Sequence, residues 1–203
     1  MQTFNHYEKA FEAYIQFWGL SCLATQERRR SLEPENQVRS LKNLDFIIPC
    51  KRPRTEIPWS CLTHDALEAN EDALARDSIS PSELAHFSWL IDVKGRRFPS
   101  GQKNPQYWRN WVTQDDIVSL ARWENIFGAD FCGLFVFVYD IVGDRSPVEP
   151  RRLFEYRQHL YAFLGIPLAV YSAHCRPLSA RWGTVSLPPA EFRRLAVPLD
   201  EVF

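Results

Sequence analysis

"FCGLFVFVYDIV", residues 131–142, is apolar on both of its alternations, and that pattern decides the fold. A strand with one wet face alternates polar with apolar residues; one with no polar face must be covered on both sides, like the centre of a sheet between helices. Just upstream, Thr113 opens a helix whose first turn carries Asp115 and Asp116, favourable to the N-terminal dipole, and Gly128 closes it. Ile117, Leu120, Ala121, Glu124 and Phe127 recur at helical spacing and mark its buried side. A helix feeding a doubly covered strand predicts an α/β layered domain with a mixed central sheet flanked by helices.

Working outward, "HFSWLIDVKG" (86–95) predicts a strand ended by Gly95. Its period of two puts Leu90, Asp92 and Lys94 on one face and Trp89, Ile91 and Val93 on the other. "LKNLDFII" (41–48) predicts a strand with Asp45 in its middle and Pro49 at its end, and "LSCLAT" (20–25) a shorter one. "NHYEKAFEAYIQFWGL" (5–20) predicts an amphipathic helix with Phe4, Tyr7, Phe11, Tyr14, Ile15 and Trp18 in one stripe, stopping at Gly19. Beyond the central strand, "LFEYRQHLYAFLGI" predicts a hairpin turning near Arg157 and Gln158, "LAVYSAHC" a short helix, "WGTVSL" a late strand and "PAEFRRLA" a last helix.

At 203 residues with 45% hydrophobic content, the chain is expected to form one domain, 1–203, with a substantial core. Residues 49–86 read as an insertion within it: "KRPR" at 51–54 is basic, seven acids face Arg76 alone from Thr55 to His86, and a short helix fits from Thr63 to about Ala75. A net charge of −1 excludes a global field that would draw in nucleic acid, so any such affinity must come from local patches. Five cysteines, an odd number without CxxC spacing, fit a reducing cytoplasm. Neither a signal-like N-terminus nor an apolar run of about 18 residues is present, so no membrane association is expected. Cys61 and His64, with Cys50 and His86, could be assembled into a zinc site, though not at the spacing of a standard finger. "ERRR" (27–30) and "KRPR" (51–54) read as solvated faces, with a contact to a nucleic-acid backbone as the alternative for either.

Three acids sit where an apolar residue would be the default. Glu8 lies on the edge of the first helix's stripe; Asp45 and Asp92 lie within strands. For Glu8 a capping box with Asn5 is the competing explanation, and for Asp92 with Lys94 a surface ion pair. Converging on one sheet edge, the acids would suit a hard divalent cation such as Mg²⁺, and the lysine could hold the attacking water or the developing phosphorane charge. Asp45 and Asp92 are the expected ligands, with Glu8 completing the metal's surroundings.

"HYEKAFE" (6–12) resembles the signature of the HYExAFE family of bacterial proteins, and "LIDVKGRRFP", "NWVTQDDIVSLARWENIFG" and "FVFVYDI" are similar to that family's later blocks. The wider pattern resembles the PD-(D/E)xK nuclease superfamily: a helix glutamate, a strand aspartate, then Asp/Glu-x-Lys at a strand end. That resemblance implies a restriction-endonuclease-like three-layer fold, with the insertion between the second and third core strands, and Mg²⁺- or Mn²⁺-dependent cleavage of DNA. Carried over, Glu8 is the helix acid, Asp45 the first strand acid and Asp92 with Lys94 the D-x-K pair. The Val93 carbonyl becomes a further metal ligand, and Gln114 the glutamine some members use on the following helix. The chain departs from the pattern in the 46 residues between Asp45 and Asp92 and in lacking the proline before Asp45.

From Val93 to Gln114 the chain has five basic residues and no acid, interleaved with aromatics. Arg96, Arg97, Lys103 and Arg109 are candidates for phosphate contacts, and Trp108 and Trp111 for stacking on bases; a solvated loop whose tryptophans cap the core is the competing reading. DNA is the expected partner, and a homodimer is compatible with the sequence. The rival function is a noncatalytic nucleic-acid- or protein-binding module on the same fold.

Overall fold

A computed structural model describes residues 5–25, 42–52, 56–59, 87–101 and 103–203. The chain runs α1 (His6–Phe17), β1 (Leu23–Ala24), β2 (Phe46–Pro49), β3 (Ser88–Phe98), β4 (Val112–Thr113), α2 (Gln114–Phe127), β5 (Phe131–Ile141), β6 (Phe154–Tyr156) and β7 (His159–Pro167). It continues with α3 (Leu168–His174), β8 (Arg176–Ser179), β9 (Thr184–Ser186), α4 (Pro189–Leu195) and β10 (Val197–Pro198). The main sheet has the order β1-β2-β3-β5-β7-β10, with β6 also on β7; a small second sheet has the order β4-β9-β8.

β5 is the doubly covered strand its apolar pattern demands, buried from Cys132 to Asp140. It pairs parallel with β3, from Ser88↔Phe131 to Phe98↔Ile141, and antiparallel with β7. The parallel pairing follows from α2, which carries the chain back to the end where β3 began. Two glycines record how closely the helices approach. A Cβ on Gly95 would meet the Tyr7 ring of α1 at 2.1 Å, and one on Gly133 would meet Leu120 of α2 at 2.8 Å. Gly95 shares a face with its partner Val138, whereas Gly133 lies on the other face, so α1 covers one side of the sheet and α2 the opposite one. Tyr171 of α3 and Phe192 of α4 pack on Phe137, on the α2 side.

Several boundaries differ from the expected ones. β3 does not stop at Gly95 but continues to Phe98: the glycine is there to admit Tyr7, not to break the strand. Asp45 immediately precedes β2 instead of lying within it. In α1 the buried stripe is Ala10, Phe11, Tyr14 and Ile15, while Trp18 is 52% exposed, because the helix ends a residue before it. In α2 the sheet-facing edge is rotated toward Asp116, Ser119 and Leu120, and Phe127 is 38% exposed. The hairpin turns where expected, with left-handed φ at Arg157 and Gln158. Of the small second sheet, β9 is the late strand expected from "WGTVSL", whereas β4 and β8 carry no strand pattern in the sequence. Most of the 49–86 segment, with the helix expected from Thr63 and the Cys61/His64 pair, lies outside the described residues, as does Phe4. No helix among the described residues is long and apolar enough to cross a membrane.

Candidate active site

β2 and β3 form an antiparallel pair from Pro49↔Ser88 to Phe46↔Ile91. The next residues along, Asp45 and Asp92, therefore meet at the end of that ladder. The Asp45 amide donates to the Ile91 carbonyl at 2.9 Å, and its carboxylate Oδ2 accepts from the Val93 amide at 2.6 Å. Since N–H and C=O of one strand residue face the same edge, the Val93 carbonyl is directed to the side where Asp45 lies.

Asp92 and Lys94 project to the α2 face, opposite Phe135 and Phe137. The Lys94 ammonium lies 2.8 Å from Asp92 Oδ1 and 3.2 Å from Asp116 Oδ2. Asp116 is held on every side. Its carboxylate takes the Thr113 amide at 2.7 Å while the Thr113 hydroxyl takes the Asp116 amide, a reciprocal capping box at the start of α2. Its other oxygen takes the Lys42 ammonium at 2.6 Å. Lys42 also fastens the segment leading to Asp45 onto α2, through its amide to the Ser119 hydroxyl at 3.2 Å and its carbonyl to the Trp123 indole at 2.8 Å.

The electrostatics follow from this crowding. Burial pushes the Asp45 carboxyl up to about 7; the Asp92 charge adds to the rise, the Val93 amide opposes it, and Glu8 raises it further. Glu8 on α1 is thus within electrostatic reach of the strand acids, and the Asn5 side chain makes no capping bond. At Asp92 burial raises the carboxyl and Lys94 only partly offsets it. At Lys94 burial disfavours the ammonium, but Asp92 and Asp116 more than compensate and raise it. Asp116 goes the other way: the burial penalty is outweighed by Lys94, Lys42 and the Thr113 amide, which hold it at about 2.

The structure thus brings Asp45, Asp92, Val93 and Lys94 to one end of the β2–β3 ladder, while Glu8, on α1 across the sheet from Asp92 and Lys94, reaches Asp45 through its charge. Gln114 is not brought in: it is exposed, and its amide donates to the Gly183 carbonyl at 2.8 Å. The basic segment divides. The Arg96 guanidinium turns inward, donating to the Gly95 carbonyl at 2.7 Å and the Trp111 carbonyl at 2.5 Å and stacking 4.0 Å from the Trp111 ring. Trp108 packs on Phe98 and Phe192. Arg97, Lys103 and Arg109 are exposed, with Arg109 bonded to the Gln106 side chain at 2.8 Å. Asp116, Thr113 and Lys42 were not among the expected site residues. The T-x-x-D spacing signals the cap, but nothing local signals that the same carboxylate anchors a lysine two elements away.

Whether the acids suit a divalent cation turns on their charge. Glu8, Asp45, Asp92 and Asp116 supply four negative charges against two positive ones from Lys42 and Lys94, a deficit of 4 − 2 = 2 among the described residues. Burial is the main cause of the rise at Asp45 and the charges of Asp92 and Glu8 add to it, so an oxygen-loving, doubly charged ion would relieve both the burial and the repulsion. As the side chains lie, no three Asp, Glu, His or Cys groups among the described residues stand in position to hold a metal ion. Comparison with known protein families, with curated proteins and with solved structures finds nothing that matches this chain.

Proposed function

We propose that this chain is a divalent-cation-dependent nuclease of the PD-(D/E)xK type, hydrolysing phosphodiester bonds in DNA. The observation that carries the reading is the meeting of Asp45, Asp92 and Lys94 at one end of the β2–β3 ladder, with Glu8 close enough to raise Asp45. The element order also supports a restriction-endonuclease-like three-layer arrangement: helix, three antiparallel strands, helix, then a strand parallel to the third.

In this reading Asp45, Asp92 and the Val93 carbonyl would hold Mg²⁺ or Mn²⁺, with Glu8 supporting them. The ion would supply Lewis-acid stabilisation of the phosphoryl oxygens and a more acidic water. Asp45 must lose its proton before it can ligate. The Lys94 ammonium, anchored by Asp116, remains beside the acids and stabilises negative charge developing on the phosphate. The Arg96–Trp111 stack fixes the segment between β3 and α2, so β3 presents Asp92 and Lys94 on a rigid strand.

The double ion pair of Lys94 favours a second reading, a noncatalytic binding module in which Asp92 and Asp116 are spent on a structural lysine. Incubating the full chain with supercoiled, linear and single-stranded DNA in Mg²⁺ or Mn²⁺ separates the two. Cleavage that disappears in Asp92→Ala and Lys94→Ala supports the nuclease; no cleavage of any DNA form, or equal cleavage by Asp92→Ala, removes it.

A further inference from the structure

A second polar cluster lies farther along the same strands, on the α1 face. Arg97 of β3 is the register partner of Asp140 of β5, and Asp140 that of Tyr161 of β7, so the three side chains stand side by side across the sheet. Asp140 is buried, and one of its oxygens lies 3.1 Å from His159 Nδ1. Above them, His6 at the start of α1 places its Nδ1 3.0 Å from the Tyr161 hydroxyl. The two imidazoles are 6.3 Å apart, centre to centre.

Both histidines therefore have Nδ1 engaged by a partner in the sheet, an arrangement that fixes ring orientation and keeps Nδ1 from other partners. His159 is 54% exposed and Arg97 is exposed, so their polar ends reach solvent. The buried Asp140 carboxylate behind the His159 ring holds it from the sheet side, and a ring nitrogen not used in that contact is a donor or acceptor for a ligand. Arg97, exposed and next to Asp140 on the same face, adds a fixed positive charge to that face, which favours an anion with several acceptor oxygens over a cation. Val93, beside Asp45, and Arg97 are four residues apart on this face, or about 13 Å along the strand.

We propose that Arg97, His6 and His159 form a phosphate subsite on the α1 face, holding DNA about 13 Å along β3 from Val93 and the sheet edge at Asp45, where the nuclease reading puts the cut. The inference rests on the nuclease reading for the place of the cut, but not for the phosphate contact itself. Asp140 and Tyr161 are positioning residues: they orient the imidazoles without touching the ligand. The bound phosphate is either an internal phosphodiester or a terminal monoester, and both use the same donors.

Fluorescence anisotropy of the full chain tests this with short labelled duplexes bearing 5′-hydroxyl or 5′-phosphate ends, in Ca²⁺ so that no strand is cut. His159→Ala, His6→Ala and Arg97→Ala are each expected to weaken binding about tenfold. Their Mn²⁺ affinity should stay unchanged, and in cleavage assays KM should rise while kcat holds. An equal loss on both duplexes identifies an internal phosphate; a loss confined to the 5′-phosphorylated duplex identifies a terminal one. Asp140→Asn should weaken binding in the same direction, and His159→Gln decides the matter if the alanine variant does not fold. Variants that fold and bind DNA as tightly as wild type overturn the subsite, and leave the nuclease standing if wild type cuts. Loss of binding in the variants of a wild-type chain that cuts nothing supports the subsite and overturns the nuclease.

Discussion

Asp45, which meets Asp92 at the end of the β2–β3 ladder, and Asp116, which pairs with Lys94, respond to acid in opposite senses. Asp116 is held at about 2 in the fold, below the ordinary range for Asp of about 3.9. Its contribution to stability is fully present above pH 4 and vanishes as pH falls toward 2. Asp116→Asn should therefore cost about 1–3 kcal/mol near neutrality, and the gap in melting temperature from wild type should close as pH drops from 5 to 2. Asp45 is raised to about 7, so its ionisation works against the fold: stability is lost as pH climbs from about 4 to 7 and regained on protonation. Asp45→Asn, which keeps an acceptor for the Val93 amide, should raise the melting temperature at pH 8 by a few degrees, and by less at pH 5. The same proton competes with metal, so the apparent Mn²⁺ affinity measured by calorimetry should fall about tenfold for each pH unit below 7. Glu8, Asp45 and Asp92 were legible as acids out of place in apolar surroundings, and Lys94 as the partner of Asp92 two residues on. Asp116 was not, because an acid in the first turn of a helix already has a sufficient local reason to be there.

Elements were legible where one local rule governs them. The T-x-x-D cap of α2, the left-handed pair at Arg157–Gln158 and the all-apolar run of β5 each act within a few residues. Gly95 misled because its reason for being small lies on another element, in the Tyr7 ring against it. Gly95→Ala should force α1 away from β3 and cost about 1–3 kcal/mol in urea denaturation. It should also weaken Mn²⁺ binding, since α1 carries Glu8. Arg96 misled in the same way: a basic run shows charge, not that one of its members turns inward onto Trp111. Arg96→Lys should loosen the segment after β3, seen as faster amide exchange around Trp111, because an ammonium cannot reproduce the flat stack.

At the scale of the whole molecule, the layered α/β class follows from the apolar run of β5, but the pairing order does not, because it depends on contacts between residues far apart in sequence. The parallel β3–β5 ladder and the small β4-β9-β8 sheet are such cases. Pairing also shows where the long connection between β2 and β3 departs. The chain leaves at Pro49 and returns at Ser88, which are register partners, whereas Asp45 and Asp92 mark the other end of the same two strands. Trp59 and Phe87 both pack on Trp89. Replacing residues 61–86 by a linker of about eight residues should thus leave a cooperative melt and an unchanged Mn²⁺ affinity, checked by calorimetry.

Loop-closure entropy grows only with the logarithm of length, so carrying the full connection instead of a tight turn costs the fold about 1–2 kcal/mol. That is a small tax for a free attachment point. Over evolutionary time such a hairpin can acquire, lengthen or shed an appendage while the end that carries Asp45 and Asp92 keeps its geometry.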